Sequence, residues 1–253
     1  MPTPILSFVV PAYNEEAYLS ACLESILEQT RELDLAVEIV VVNNASTDRT
    51  REVALGFAGV TLVDEPRKGL TYARQAGFAA TRGLLIANVD ADSRLTPGWV
   101  AQVLRTFARE PALVALSGPL LYYDLPSSQR RQVRVFYAVA FLTYAINRWV
   151  LRVGSMVQGG NFVVSREALE AIGGFNTAIA FYGEDTDLAR RLHKVGPTRF
   201  TFALKMSSSA RRLKHEGLFT MAGRYSMNYL WTTFFARPFT EKYVDVREGQ
   251  VSS

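Results

Sequence analysis

The sequence predicts a Rossmann-like α/β fold with a mostly parallel central sheet. Three observations carry that expectation. Strand-like and helix-like segments alternate through the first half of the chain, the pattern of βαβ units. Two of the strand-like runs, Val37–Val42 and Leu84–Val89, are almost wholly apolar, as in strands covered on both faces. Polar residues follow directly on the strand-like ends, at the sheet edge where open α/β folds bind ligands.

Taken in order, Ile5–Val10 is β-rich and reads as the first strand. Glu16–Gln29 reads as a helix because Leu19, Cys22, Leu23, Ile26 and Leu27 recur at helical spacing. Val37–Val42 is the next strand. Ser46-Thr47-Asp48 then opens a helix to about Phe57, with Ser46 or Thr47 as its N-cap. Val60–Val63 is a short strand, Gly69–Arg82 a helix and Leu84–Val89 a buried strand. Thr96 as cap and Pro97 at the first position start a helix through Arg109, and Val114–Ser117 is a further strand.

The second half is less regular. Ser127 to Val153 reads as one long helix with the apolar centre Phe136–Leu142. Its uncharged stretch is too short to span a bilayer. Its basic flanks and aromatics suit a helix lying at a membrane surface, and equally one packed over a site or in a homodimer contact. Met156 to Val164 is a strand entered through Gly159-Gly160, Glu184 to Val195 a helix, Thr198 to Ala203 a strand and Gly217 to Phe235 an amphipathic helix. A single domain over residues 1–240 follows, with halves 1–118 and 119–240 and a flexible tail at 241–253.

Hydrophobic residues make up 49% and charged residues 21% of the 253, which places the chain among packed globular proteins and excludes general disorder. The one cysteine, Cys22, excludes an intrachain disulfide. With no secretory signal before Ile5, the expected compartment is the cytoplasm. The net charge of +4 is uneven. Arg130, Arg131, Arg134, Arg148 and Arg152 fall in a stretch without an acid, and Arg211, Arg212, Lys214, Arg224 and Arg237 form a second basic region. Such patches suit phosphate-bearing ligands or the cytoplasmic membrane face. No nucleic-acid-binding motif accompanies them, so nucleic acid is not an expected partner.

The most informative feature is Asp90-Ala91-Asp92 after the run Leu84–Val89. Carboxylate oxygens at a strand mouth suit Mg²⁺ or Mn²⁺ shared with a diphosphate. Three other motifs lie on the same sheet edge: Val9-Val10-Pro11-Ala12-Tyr13-Asn14-Glu15-Glu16, Val41-Val42-Asn43-Asn44-Ala45-Ser46-Thr47-Asp48 and Gly183-Glu184-Asp185-Thr186-Asp187-Leu188. This order and spacing resembles the family 2 glycosyltransferases of the GT-A fold, over roughly residues 5 to 195. Lys68-Gly69-Leu70-Thr71-Tyr72-Ala73-Arg74 and Gly173-Gly174-Phe175 are similar to further family segments.

The resemblance implies a GT-A sheet with a mixed, acceptor-side half after Gly118. It implies that Pro11, Ala12, Tyr13, Glu15 and Asn44 hold the base and ribose of a nucleotide-diphospho-sugar. Lys68, Arg74, Asp90 and Ala91 complete that donor site, and Asp92 ligates Mn²⁺ or Mg²⁺. Asn43-Asn44 stands where the family often has two aspartates. A neutral Asn can donate as well as accept, so a UDP-sugar is favoured but GDP- and dTDP-sugars stay open. Asp185 is implied as the general base, with Glu184 orienting the acceptor or the metal shell. Asp187 reads as a helix-terminal charge. Gly159, Gly160 and Asn161 resemble the acceptor-side strand. His215 either supplies a further metal ligand from a mobile loop, Arg211–His215, or is a surface residue. His193 reads as exposed on its helix.

The Gln-x-x-Arg-Trp signature of processive synthases is missing, which implies transfer of a single sugar, and the resemblance implies in-line attack that inverts the anomeric centre. Three rivals remain. One is a membrane-surface enzyme with a lipid or polyprenyl-phosphate acceptor, motivated by residues 133–153. Another is a nucleotidyltransferase, which should carry a Gly-rich phosphate loop where Pro11-Ala12-Tyr13-Asn14 stands. The third is a nucleotide-sugar-binding module without turnover.

Overall fold

The computed structural model describes residues 4–33, 35–146, 156–235 and 237–240. Its first half builds β1 (Leu6–Ala12), α1 (Leu19–Glu32), β2 (Val37–Asn43), α2 (Thr50–Leu55), β3 (Val60–Asp64), α3 (Leu70–Ala80) and β4 (Leu85–Val89). Every residue of β1 and β4 is buried, as continuous apolar strands require. Alternate side chains of β1 serve two cores. Leu6, Phe8 and Val10 meet Leu19, Leu23 and Ile26 of α1, whereas Val9 joins Ala73 and Phe78 of α3 on the opposite face.

The chain continues through β5 (Ser93–Leu95), α4 (Trp99–Arg109), β6 (Ala115–Ser117), β7 (Leu120–Tyr122), α5 (Ser127–Ala145), β8 (Asn161–Ser165), α6 (Arg166–Ala171), α7 (Glu184–Leu192), β9 (Thr198–Phe200), β10 (Met206–Ser208), α8 (Arg211–Glu216) and α9 (Leu218–Phe235). The main sheet has the order β3-β2-β1-β4-β8-β6-β9. It is parallel except for β8, which runs against both β4 and β6. The strand order reverses at β1, so the crevice beyond β1 and β4 is the topological switch point. A second sheet, β5-β10-β7, sits at this end, because β5 begins one residue after Asp92.

The mostly parallel sheet with a mixed second half is as expected, while several element bounds differ. The three-residue strands of the small sheet were not anticipated, since they are too short to show a period. α2 begins at Thr50 rather than Ser46 because the polar side chains before it tie two loops together. Ser46 Oγ accepts from the Asn14 amide at 3.1 Å, and Asp48 accepts from the Glu16 amide at 3.1 Å. α4 begins at Trp99, after Gly98 in the left-handed region at φ 78°. The strand expected from Met156 forms only from Asn161, because Gly159 and Gly160 make a turn closed by an Asn161 N–H bond to Gln158 O at 3.1 Å. Arg211–His215 is helical, not a loop. α7 ends at Leu192, and His193 is its half-buried C-cap rather than an exposed helical residue.

α5 runs from Ser127 to Ala145; the continuation of that helix expected at 147–153 and the tail at 241–253 lie outside the described residues. α5 packs inward through Val133, Tyr137 and Tyr144 against Phe200, Ala210 and Leu213. Among the described residues, no helix is long and apolar enough to cross a membrane.

Candidate active site

One cavity of about 610 Å³ opens beyond the carboxyl ends of β1 and β4. The residues expected at the donor site, Pro11, Ala12, Tyr13, Glu15, Asn44, Lys68, Arg74, Asp90, Ala91 and Asp92, all line it. So do Gly159, Glu184 and Asp185, whereas Gly160, Asn161 and His215 do not.

The first loop leaves β1 with Asn14 in the left-handed region at φ 51°. Lys68 Nζ donates to the Tyr13 hydroxyl at 2.9 Å and lies 4.2 Å from that ring's centre. Asn44 is buried, and its amide is engaged within the protein. Its Nδ2 donates to Glu65 O at 3.0 Å and Arg67 O at 2.7 Å, and its Oδ1 accepts from the Gly69 amide at 2.8 Å. Asn44 thus fixes the loop that carries Lys68 into α3, leaving one acceptor lone pair for a ligand. Asn43 bonds Asp64 at 2.8 Å, away from the cavity.

Arg74 is almost fully buried on α3 and ties the two acidic motifs together. Its guanidinium lies 2.5 Å from Glu184 Oε1 and 3.4 Å from Asp90 Oδ1. Burial, reinforced by Asp185, lifts the Glu184 carboxyl to about 7, with Arg74 pulling the other way. Burial also raises Asp185, opposed chiefly by a hydrogen bond from the Thr186 amide at 2.7 Å, then by Arg74 and by the Gly159 amide at 3.4 Å. Asp187 is buried and paired with Arg190 and Arg191 rather than left as a simple helix-end charge. Gly183, at φ 80°, lets the chain turn into α7 so that Glu184 and Asp185 face the cavity.

Gly160 has both a conformational and a steric reason to be glycine. Its φ is +77°, and a Cβ there would lie 2.1 Å from Asp90 Oδ2. Asn161, expected on the acceptor side, is instead a structural residue. Trp99 Nε1 donates to its Oδ1 at 3.0 Å, and its Nδ2 donates to Gly118 O and Leu204 O at 2.9 and 2.8 Å.

The expected metal pair of Asp92 and His215 is not assembled, because His215 is exposed on α8 outside the cavity. Arg211, from the same helix, sits there instead. Its guanidinium is 3.0 Å from Asp92 Oδ2 and also pairs with Glu15, so these acids hold it more firmly protonated. Among the described residues, no three His, Cys, Asp or Glu side chains converge as a ready cation cage. Arg211 lies 196 residues from Glu15, and no local pattern in the sequence announces that contact.

The sequence model of glycosyl transferase family 2 matches residues 7–173, about two thirds of the chain. The chain belongs to glycosyl transferase family 2. A second model, the N-terminal domain of galactosyltransferase, matches residues 145–216 and so extends over the Glu184-Asp185 motif. Among family 2 relatives, the chain is 36% identical over 118 residues to a putative glycosyltransferase, EpsH, of Bacillus subtilis, covering 45% of the chain and 33% of the relative. It is 45% identical over 101 residues to a dolichyl-phosphate β-glucosyltransferase of Trichomonas vaginalis, covering 36% and 31%. The matched stretch thus spans about a third of the length of these relatives. A mannosyltransferase of Pyrobaculum calidifontis, solved with GDP-Man and Mn²⁺, superposes with a TM-score of 0.67 at 22% identity, over 92% of this chain and 64% of that one. A glucosyl-3-phosphoglycerate synthase of Mycobacterium tuberculosis, solved with Mn²⁺ and UDP-glucose, gives 0.60 at 20% identity, over 91% and 79%. The family 2 chain therefore has the GT-A fold.

Proposed function

We propose that the chain is the catalytic domain of an inverting, metal-dependent glycosyltransferase. It moves one sugar from a nucleotide-diphospho-sugar to an acceptor hydroxyl. The observation that carries this reading is that Asp92, at the switch point of the sheet, and Asp185, at the start of α7, line one cavity.

The acceptor oxygen attacks the anomeric carbon while Asp185 takes its proton, and the bond from that carbon to the diphosphate breaks with inversion. Burial strengthens Asp185 as a base, and the Thr186 and Gly159 amides hold its carboxylate in place. Arg74 and Glu184 position α7 against β4, keeping the base in register with Asp90. Lys68 and the loop held by Asn44 border the donor end.

The site also suits a divalent cation. Asp92 and Glu15 already hold one cationic group, the Arg211 guanidinium, so a divalent cation that displaced it would meet hard oxygen ligands. Asp92, with Asp90 beside it, would hold Mn²⁺ or Mg²⁺, and few protein ligands suffice because diphosphate oxygens and water complete the shell. When bound, such an ion stabilises negative charge on the departing diphosphate. The complexes of the two structural neighbours with Mn²⁺ and nucleotide sugars support this reading.

The test is a thermal-shift screen of UDP, GDP, dTDP and CMP with and without Mn²⁺, followed by transfer assays with the sugar of the responding nucleotide. One nucleotide should stabilise the protein in a Mn²⁺-dependent way, and Asp92→Ala should remove that response. Asp185→Asn should keep the thermal response and lose transfer by about 10²-fold or more. Transfer that survives in Asp185→Asn would overturn the base assignment.

A further inference from the structure

The cavity does not end at the carboxylates. Its lining continues onto α5 and α9, where Phe136, Ala140, Met221 and Ala222 form an apolar wall beside Tyr225, Ser226 and Tyr229. Val139 and Leu230 line this part of the cavity and are also 59% and 44% exposed, so it opens to the surface. Around that opening the surface is unusually apolar. Val135, Leu142 and Ile146 stand exposed on α5 at helical spacing with Val139, and Met227 and Phe234 stand exposed on α9. Arg130, Arg131 and Arg134, all exposed, precede this stripe, and among the described residues no carboxylate pairs with them.

Against the apolar wall, sugar hydroxyls would lose water without gaining partners. An aliphatic chain gains from every methylene it buries there. The exposed arginines beside the apolar stripe complement an anionic membrane surface, from which such a chain would be drawn. At the other end of the same cavity, Asp185 is placed to remove a proton from a hydroxyl, which a phosphate acceptor would not require.

We infer that the acceptor is an amphiphile: its head presents a hydroxyl to Asp185, and its aliphatic chain leaves along the apolar wall on α5 and α9. This deepens the proposed glycosyl transfer and rests on it. The two alternatives for the lipid, a diacylglycerol and a polyprenyl-linked sugar, share this chemistry.

The test begins with binding, without donor. Methyl, butyl, hexyl and octyl β-glucosides below their micellar concentrations are titrated by calorimetry. Affinity should rise about fourfold for each added methylene, the ratio that corresponds to ~0.8 kcal/mol. Ala222→Trp and, separately, Ala140→Trp fill the space beside this wall and should flatten this dependence while the Mn²⁺-dependent nucleotide response persists. That response also reports that each variant is folded. Transfer is then measured into phosphatidylglycerol vesicles that carry either diacylglycerol or a polyprenyl-diphospho-sugar, and incorporation into one identifies the lipid. Equal affinity for all chain lengths with an intact nucleotide response would overturn the inference and leave the proposed transfer standing. A missing nucleotide response in the wild-type protein would overturn the proposed transfer itself.

Discussion

Arg74 is the residue whose removal tests the construction of the site most directly. It is nearly inaccessible, and it faces Glu184 at 2.5 Å and Asp90 at 3.4 Å. Arg74→Met keeps much of the side-chain volume and removes the charge. The Asp90 side chain is 37% exposed, so water can take over its solvation. Glu184 has no such recourse, since it is buried beside Asp185. Its outcome then depends on pH. At pH 8.5 the wild-type Glu184 is ionised, because its carboxyl titrates at about 7. Without Arg74, which lowers that value, the carboxyl is driven to take up a proton instead, and this adds about 2 kcal/mol to the loss at pH 8.5. At pH 5.5 Glu184 is already protonated in the folded protein, so the variant loses hydrogen bonds to a neutral group, about 1 kcal/mol. Urea denaturation at the two pH values reads the difference as a shift in midpoint at constant slope. The double variant Arg74→Met, Glu184→Gln should recover most of the loss at pH 8.5, giving a coupling of about 2 kcal/mol. Equal losses at the two pH values, or strictly additive single variants, would refute the claim that Arg74 serves as the counter-charge to Glu184.

Three further outcomes follow from the same geometry. Glu184 holds its proton more tightly in the folded protein than at the ordinary carboxyl value of 4.5. Its contribution to stability is therefore complete below about pH 4.5 and is lost as pH rises through about 7, so Glu184→Gln should flatten the decline in melting temperature across that window. Gly160→Ala should disturb the Asp90 carboxylate, which a Cβ would approach to 2.1 Å, and strain a backbone at φ +77°; calorimetry should show a loss of stability of about 1–2 kcal/mol and weaker Mn²⁺ binding, and unchanged values for both would contradict the steric argument. Arg211→Ala removes the guanidinium that occupies Asp92, so binding of Mn²⁺ alone should tighten several-fold by titration calorimetry; weaker binding would mean that Arg211 assists rather than competes.

The sheet edge was legible in the sequence because its signals are local. Continuous apolar runs announced β2 and β4, and the polar residues after them could only emerge at the same edge of a parallel sheet. Gly69 to Arg74 also read correctly as the start of a helix that enters the site. What the sequence concealed depends on contacts distant along the chain. Asn44 shows the difference: its position at the end of β2 is a pattern, but whether its amide meets a ligand or the loop at Glu65 to Gly69 is decided by how that loop returns. Asn161 followed a glycine pair that does line the turn, yet its side chain lies on the inner face of the strand and satisfies Trp99 and two carbonyls there. His215 and Arg211 lie four residues apart and so share a face of the same short helix, and the position of α8 along its axis decides which one reaches Asp92. A periodicity argument cannot choose between them, because they share a face and the start of the helix is fixed by Asp124 from another segment, which accepts from the Ala210 amide at 2.7 Å. That tie to Asp124 thus sets an arginine rather than a histidine beside Asp92, and with it the charge that an incoming cation would have to replace.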